Sequence, residues 1–305
     1  MNYGPLIFLA AFFALASSWF GLVLTPQLKV GQLQQTNTLS GALYPVARPG
    51  VAQQGLQVYR ANGCVQCHSQ QVGQSATVFD VLLAEPGTNR VALNEALRKV
   101  KPALSAPDAE QLLSRIPVEV ARFHSRDEAD AAVKTLSIGG AKAQFLIVPV
   151  GPDIARGWGR RRNVAEDYLF DSPTLLGSVR IGPDLANIGV RQPDINWHLR
   201  HLYAPKAEVK GSTMPSYPYL FEKRKAGRQP SPEALALPAE FAEKMKGYEI
   251  FPTADAKALA AYLVSLRSDA PLFISPISVA SAAPVEGATN APAAAGAATN
   301  APASK

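Results

Sequence analysis

Cysteine is the scarcest informative residue here: 305 residues contain only Cys64 and Cys67. Two thiols cannot build a disulfide framework of several bridges or a four-thiolate zinc site. Methionine is nearly as rare, with Met1, Met214 and Met245, and the histidines are His68, His124, His198 and His201. No glycine-rich phosphate loop, activated nucleophile or general acid–base pair stands out, so no substrate chemistry and no catalytic residue is assigned. The net charge of +6 could suit nucleic acid. No basic stretch is interleaved with aromatics, however, and nucleic acid is not an expected partner.

The two cysteines lie in Cys64-Val65-Gln66-Cys67-His68. A C-x-x-C-H element is the attachment site of a c-type haem. Each thiol can add to a vinyl group as a thioether, and the two-residue spacer matches the two vinyls on one porphyrin edge. His68 then offers its imidazole to the iron. A redox dithiol or half a zinc site would use the same cysteines. The adjacent histidine and the lack of a second cysteine pair argue against both. The expected cofactor is one covalently bound haem c, held by Cys64 and Cys67.

Gly4 to Leu24 is a 21-residue run without a charge. At about 1.5 Å per residue it is about 30 Å long, the thickness of a bilayer's hydrocarbon core. A cleaved signal peptide fits less well, because no Lys or Arg precedes the run and the run exceeds a typical signal core. A retained anchor in membrane lipid is expected. Lys29, Arg48 and Arg60 follow the run, which argues weakly for the cytoplasmic side. Haem c is attached outside the cytoplasm, and that outweighs the charge bias. A single-pass protein of the bacterial inner membrane follows, with its bulk in the periplasm.

The sixth iron ligand is sought among the methionines. Met1 is at the membrane end, and Met245 sits in the charged stretch AEKMK, expected to be exposed. Met214 sits in GSTMPSYP, where prolines stiffen a loop and hold out a thioether. His68/Met214 ligation implies a raised potential and an electron-transfer haem with both axial positions filled. His198 and His201 lie three apart in WHLRHL and compete for the distal role or for a metal site of their own. Structural roles suit them better, and His124 reads as an exposed residue at a strand end. Arg156, Arg160, Arg161 and Arg162 form a basic cluster, either a solvated loop or a contact for haem propionates or an acidic partner.

Residues 51–63 (VAQQGLQVYRANG) read as an amphipathic helix leading to Cys64, and Thr253–Arg267 as a second helix with Asp255 near its start. GLQVYRANGCVQCH and ALAAYLVSL resemble the first and last helices of class I cytochromes c. The segment FDSPTLLGSVRIGPDLANIG, followed by DINWHLRHLYAPKAEVKGSTMPSYPYL, closely resembles the mono-haem subunit, subunit II, of cbb3-type cytochrome c oxidases. The CHSQ at residues 67–70 and the single anchor agree. The resemblance covers the anchor, residues 51–71 and residues 165–267. It implies that the Pro183 carbonyl receives the Nδ1 proton of His68, fixing the imidazole. It also implies that Gly177–Arg180 faces the catalytic subunit, with Arg180 at the propionates or that interface.

Between Gln71 and Arg156 the chain departs from this family. About 80 residues intervene, too long for a structureless loop in a compact domain. Strands are expected at Thr77–Leu83, Val118–Phe123 and Lys142–Val148. Helices are expected at Asn89–Val100, Ala106–Arg115 and Arg126–Leu136, with Ser125 as a cap. This β-α-α-β-α-β order resembles the C-terminal domain of the bacterial ribosomal stalk protein. The likeness speaks to fold rather than function, and an interaction or spacing module is expected.

The expected fold is mainly α: a transmembrane anchor at 1–25, a linker at 26–50, and a class I-like cytochrome c domain at 51–75 and 151–270. A small α+β domain at 76–150 interrupts it. Residues 281–305, rich in Ala, Pro, Thr and Asn, lack the large apolar side chains a core needs and are expected to be a disordered tail. The expected role is an electron-transfer subunit, not itself catalytic. It would carry electrons from a donor cytochrome c or a second cytochrome subunit to the haem-copper subunit that reduces oxygen. The alternatives are the mono-haem subunit of a nitric oxide reductase and a free-standing anchored electron shuttle.

Overall fold

The computed structural model describes residues 3–272 and residue 274. The low-complexity segment 281–305 lies outside the described residues. The chain opens with helix α1 (Gly4–Trp19), none of whose residues is buried. It widens into a π turn at Phe20–Leu24 and continues as α2 (Thr25–Lys29). Pro26 explains the wide turn: it lacks an N–H, and its ring would clash with the carbonyl four residues back. The Thr25 hydroxyl donates to the Phe20 carbonyl at 2.9 Å across that turn. Gly4–Lys29 is a helix of 26 residues, long and apolar enough to cross a membrane. It runs five residues beyond the expected end at Leu24.

The linker holds a small hairpin, β1 (Thr36–Asn37) with β2 (Leu43–Tyr44). Next comes α3 (Gly50–Ala61), which buries Ala52, Gly55, Leu56 and Tyr59. That spacing of three and four places them on one helical face. The following unit runs β3 (Ala76–Glu85), α4 (Arg90–Val100), α5 (Ala106–Leu113), β4 (Val118–Phe123), α6 (Arg126–Leu136), β5 (Lys142–Val150). All pairings are antiparallel, in the order β4-β3-β5.

The chain returns through four short helices: α7 (Pro152–Ala155), α8 (Ile188–Arg191), α9 (Ile195–Tyr203) and α10 (Pro205–Glu208). It then forms β6 (Phe221–Lys225), α11 (Ala239–Lys244), β7 (Tyr248–Pro252) and α12 (Ala254–Ser265). Thr253 caps α12 by accepting the Ala256 N–H. The β6–β7 pair was not expected. Of its residues only Phe221 and Ile250 are buried, so the strands carry no alternating apolar signal.

Two hydrophobic cores result. One joins Leu56 and Tyr59 of α3 to Leu259, Tyr262 and Leu263 of α12 and to Leu199 and Leu202 of α9. The other joins Val81, Leu83 and Val120 of the sheet to Leu93 and Leu97 of α4, Leu113 of α5 and Leu136 of α6. Asn89 and Ser105 cap α4 and α5 with their side chains. Ser125, expected to cap α6, makes no such bond. Asp127 and Glu128 in that helix's first turn offset the exposed N–H groups instead.

The two terminal helices of the first core cross at Gly55. A Cβ there would lie 1.9 Å from the Ala258 carbonyl oxygen and 2.8 Å from the Tyr262 Cβ. Tyr59 and Tyr262 then meet at 5.2 Å between ring centroids. Gly55→Ala should therefore force the helices apart and destabilise the chain by about 1–3 kcal/mol. Denaturant unfolding followed by circular dichroism measures it; an unchanged midpoint would show that the crossing can relax.

Candidate functional site

The C-terminal end of α3 delivers the chain into a tight 3-10 turn, Cys64–Gln66. Inside it the Cys67 and His68 amides both return to the Cys64 carbonyl, at 3.2 and 3.0 Å. Both cysteines are half-buried and are not joined in a disulfide. Burial pushes the Cys64 thiol up to about 11. His68 is half-buried, and its Nδ1 lies 2.8 Å from the Pro183 carbonyl. Burial lowers its pKa against that bond and a nearby Asp184. The ring is thus held neutral with Nδ1 occupied, which leaves Nε2 available as a metal ligand.

The segment behind the ring is set by close approach. A Cβ on Gly182 would lie 2.2 Å from His68 Cε1 and 2.6 Å from Nδ1, so only glycine fits against the imidazole face. The Gly182 amide donates to the Cys67 carbonyl at 3.0 Å, and the Leu185 amide to the Ser69 carbonyl at 2.8 Å. The carboxylate of Asp184, wholly buried, accepts from the Ser69 hydroxyl at 2.6 Å, the Gln71 amide at 2.7 Å and the Ala186 amide at 2.8 Å. Gln70 reaches Tyr262 Oη at 3.1 Å, tying the same loop to α12.

Met214 is half-buried and packs against the same core as Cys64 and Val65. Its loop is tied both to the segment before Cys64 and to α9. The Tyr219 hydroxyl bonds Asn62, two residues before Cys64, and the Tyr217 amide donates to the Leu202 carbonyl at 2.9 Å. Tyr217 also lies within electrostatic reach of Cys64 and Cys67: burial raises its pKa to about 12, with smaller contributions from both thiols. Met245 differs from the expected exposed residue. It packs against the core, with its sulfur 4.0 Å from the Tyr203 hydroxyl.

His198 is buried, and its Nε2 lies 2.8 Å from the Gln192 carbonyl, a structural anchor for α9. His201 stacks on Trp197 at 4.7 Å, its Nδ1 is buried without a partner, and burial with the nearby His198 and His68 lowers its pKa to about 4. Among the described residues no three His, Cys, Asp or Glu side chains gather as a metal site, so this pair has no third ligand. His124 is exposed just after β4.

The arginine cluster divides. Arg161 is wholly buried and forked onto Asp167 at 2.8 and 3.0 Å, with Nε on the Ala270 carbonyl at 2.7 Å. That is a structural ion pair and neither of the roles expected for the cluster. Arg156 lies over Trp158 at 5.0 Å. Arg180 donates through Nε to Ser69 Oγ at 2.9 Å, through Nη1 to Asp153 at 2.9 Å and through Nη2 to the Gln71 carbonyl. It braces the loop after His68 from within the chain.

Arg191 was not singled out from the sequence. Its Nη2 bonds the Asp184 carbonyl, while its buried Nε has no partner. Burial lowers its pKa, and its charge is felt at His68. A guanidinium with a buried, unused Nε–H has a donor to offer an anion. Two adjacent thiols, an oriented imidazole, a flat glycine face and that guanidinium together fit a covalent haem.

Residues 145–242 match the family described as cytochrome c oxidase, mono-heme subunit/FixO. Over those residues the chain carries the pattern of the mono-haem subunit family, and its inserted domain is similar to the ribosomal stalk protein. One haem is accordingly expected. The insert's relatives include large ribosomal subunit protein bL12 of Akkermansia muciniphila, 39% identical over 69 residues, covering 23% of this chain and 56% of that protein. The same protein of Histophilus somni (strain 2336) is 33% identical over 91 residues, 30% of this chain and 74% of the relative. That of Paracidovorax citrulli is 39% identical over 69 residues, 23% and 54%. This chain thus spans about half the length of the first of these.

Gly182→Ala should push the imidazole off its place while leaving both thiols free to bind the porphyrin. The expected result is covalent haem with a high-spin, weakened histidine bond, read by absorption and electron paramagnetic resonance. A normal low-spin spectrum would mean that the loop yields instead.

Proposed function

We propose that this chain is the membrane-anchored electron-transfer subunit of a cbb3-type oxidase. It would take electrons from a donor cytochrome c and hand them to the haem-copper subunit that reduces oxygen. The observation that carries this reading is His68, its Nδ1 on the Pro183 carbonyl and its ring against Gly182, in a chain whose residues 145–242 match the mono-haem family. The anchor would occupy 1–25 and the linker 26–50. A class I-like cytochrome c domain (51–75 and 151–270) would lie in the periplasm, interrupted by the inserted domain at 76–150.

A bound haem c supplies reversible one-electron transfer at iron. Cys64 and Cys67 hold its edge by thioethers. His68 Nε2 and the Met214 thioether would be its iron ligands, and a thioether ligand would favour the reduced state. Arg191 would offer a further cation for a propionate beside Arg180, which also fixes the loop behind His68. The core against which Cys64, Val65 and Met214 pack would keep water from the group, so little reorganisation would accompany each electron.

Met214→Ala should keep the covalent haem but lower its midpoint potential by at least about 59 mV, one decade in the one-electron equilibrium constant. Unchanged spectrum and potential would remove Met214 from the site. Cys64→Ala or Cys67→Ala should impair haem attachment, seen as loss of haem stain on a denaturing gel. Purification from native membranes in mild detergent should bring a haem-copper subunit and cyanide-sensitive oxygen uptake. A nitric oxide-reducing partner, or a lone haem protein, would overturn the oxidase assignment while leaving the haem ligands intact.

A further inference from the structure

Asp153 sits where the inserted unit rejoins the rest of the chain, in α7 directly after β5. It is 4% exposed. One carboxylate oxygen accepts the Gly73 amide at 2.7 Å and the other accepts Arg180 Nη1 at 2.9 Å. The approach to Gly73 is tight: a Cβ there would lie 3.2 Å from Asp153 Oδ2. Both ends of the insert arrive at this point, since the Ser75 amide bonds the Val150 carbonyl at 2.9 Å. The Arg180 guanidinium also lies over Trp158 at 5.5 Å, and the Trp158 amide bonds the Asp153 carbonyl at 2.9 Å.

From Arg180 the path runs to His68. Arg180 Nε donates to Ser69 Oγ, and that hydroxyl donates to Asp184, the residue after Pro183, whose carbonyl faces His68 Nδ1. This buried carboxylate is hydrogen-bonded by Arg180 and has the more exposed Arg156 at 3.8 Å, so moving it away from Arg180 gives up its one close charge partner. The geometry points to Asp153 as a positioning residue for His68, so that the stem of the inserted unit is part of the haem site. This rests on the reading of His68 as an iron ligand. Loosening the chain weakens the Nδ1–H bond to Pro183, makes the imidazole a poorer donor and favours ferrous iron.

The test uses the full chain, haem-loaded in detergent, and the midpoint potentials of wild type, Asp153→Asn, Arg180→Gln and the double variant. If the two residues acted only as charges, neutralising Asp153 would raise the potential and neutralising Arg180 would lower it. Positioning predicts that both raise it, by about tenfold in the one-electron equilibrium constant. The double variant should then move no further than the larger single one. Arg180→Lys keeps the charge but loses the fork, and should also raise the potential. It serves where Asp153→Asn does not fold. Opposite shifts, or lowered thermal stability at an unchanged potential, would overturn the proposal. A wild-type chain without covalent low-spin haem would instead overturn the reading of His68, and the proposal with it.

Discussion

The contact between His68 Nδ1 and the Pro183 carbonyl joins residues 115 apart in sequence, and much of the haem unit serves to keep them together. Gly182 admits the ring, Asp184 gathers Ser69, Gln71 and Ala186, and the Gly182 and Leu185 amides cross-link the two segments. The helix crossing at Gly55 fixes where α3 ends, and hence where Cys64 begins. The Tyr219–Asn62 bond brings the methionine loop to the same place. A single exposed histidine would be a weak and mobile ligand. This one is held in place by the Pro183 carbonyl and the close approach of Gly182.

That contact survives an insertion of a whole folded unit between its partners because the unit's ends are neighbours. Ala76 and Val150 are paired across β3 and β5, so the host chain leaves and returns at nearly one point. The unit also buries its own core, including the fully enclosed Leu93, Leu97 and Leu136. Closing such a loop costs little more than closing a short one, and adjacent termini are what make domain insertion tolerable. Asp153 turns that junction into a link to the histidine rather than a plain hinge.

The sequence was most legible where chemistry or periodicity is local. C-x-x-C-H needs five adjacent residues, and α3, α4, α6 and α12 follow from apolar residues three and four apart. Val118–Phe123 and Arg126–Leu136 agree with the expected bounds. Long-range pairing was not legible. Nothing near Arg161 tells that Asp167, Ala270 and Tyr44 will enclose it. Met245 reads as exposed from its charged neighbours, yet Tyr203 and the core receive it. Arg191 and Asp153 carry no motif at all; their roles come from burial and from groups brought close by the fold.

The most direct test of the account is proton magnetic resonance of the reduced, haem-loaded chain. If His68 and Met214 occupy the two iron faces, one three-proton methyl signal will be shifted far upfield by the porphyrin ring. It will disappear in Met214→Ala, and the His68 Nδ1 proton will exchange slowly behind the Pro183 carbonyl. An upfield methyl that persists in that variant, or no such methyl with covalent haem present, would contradict the assigned ligand set.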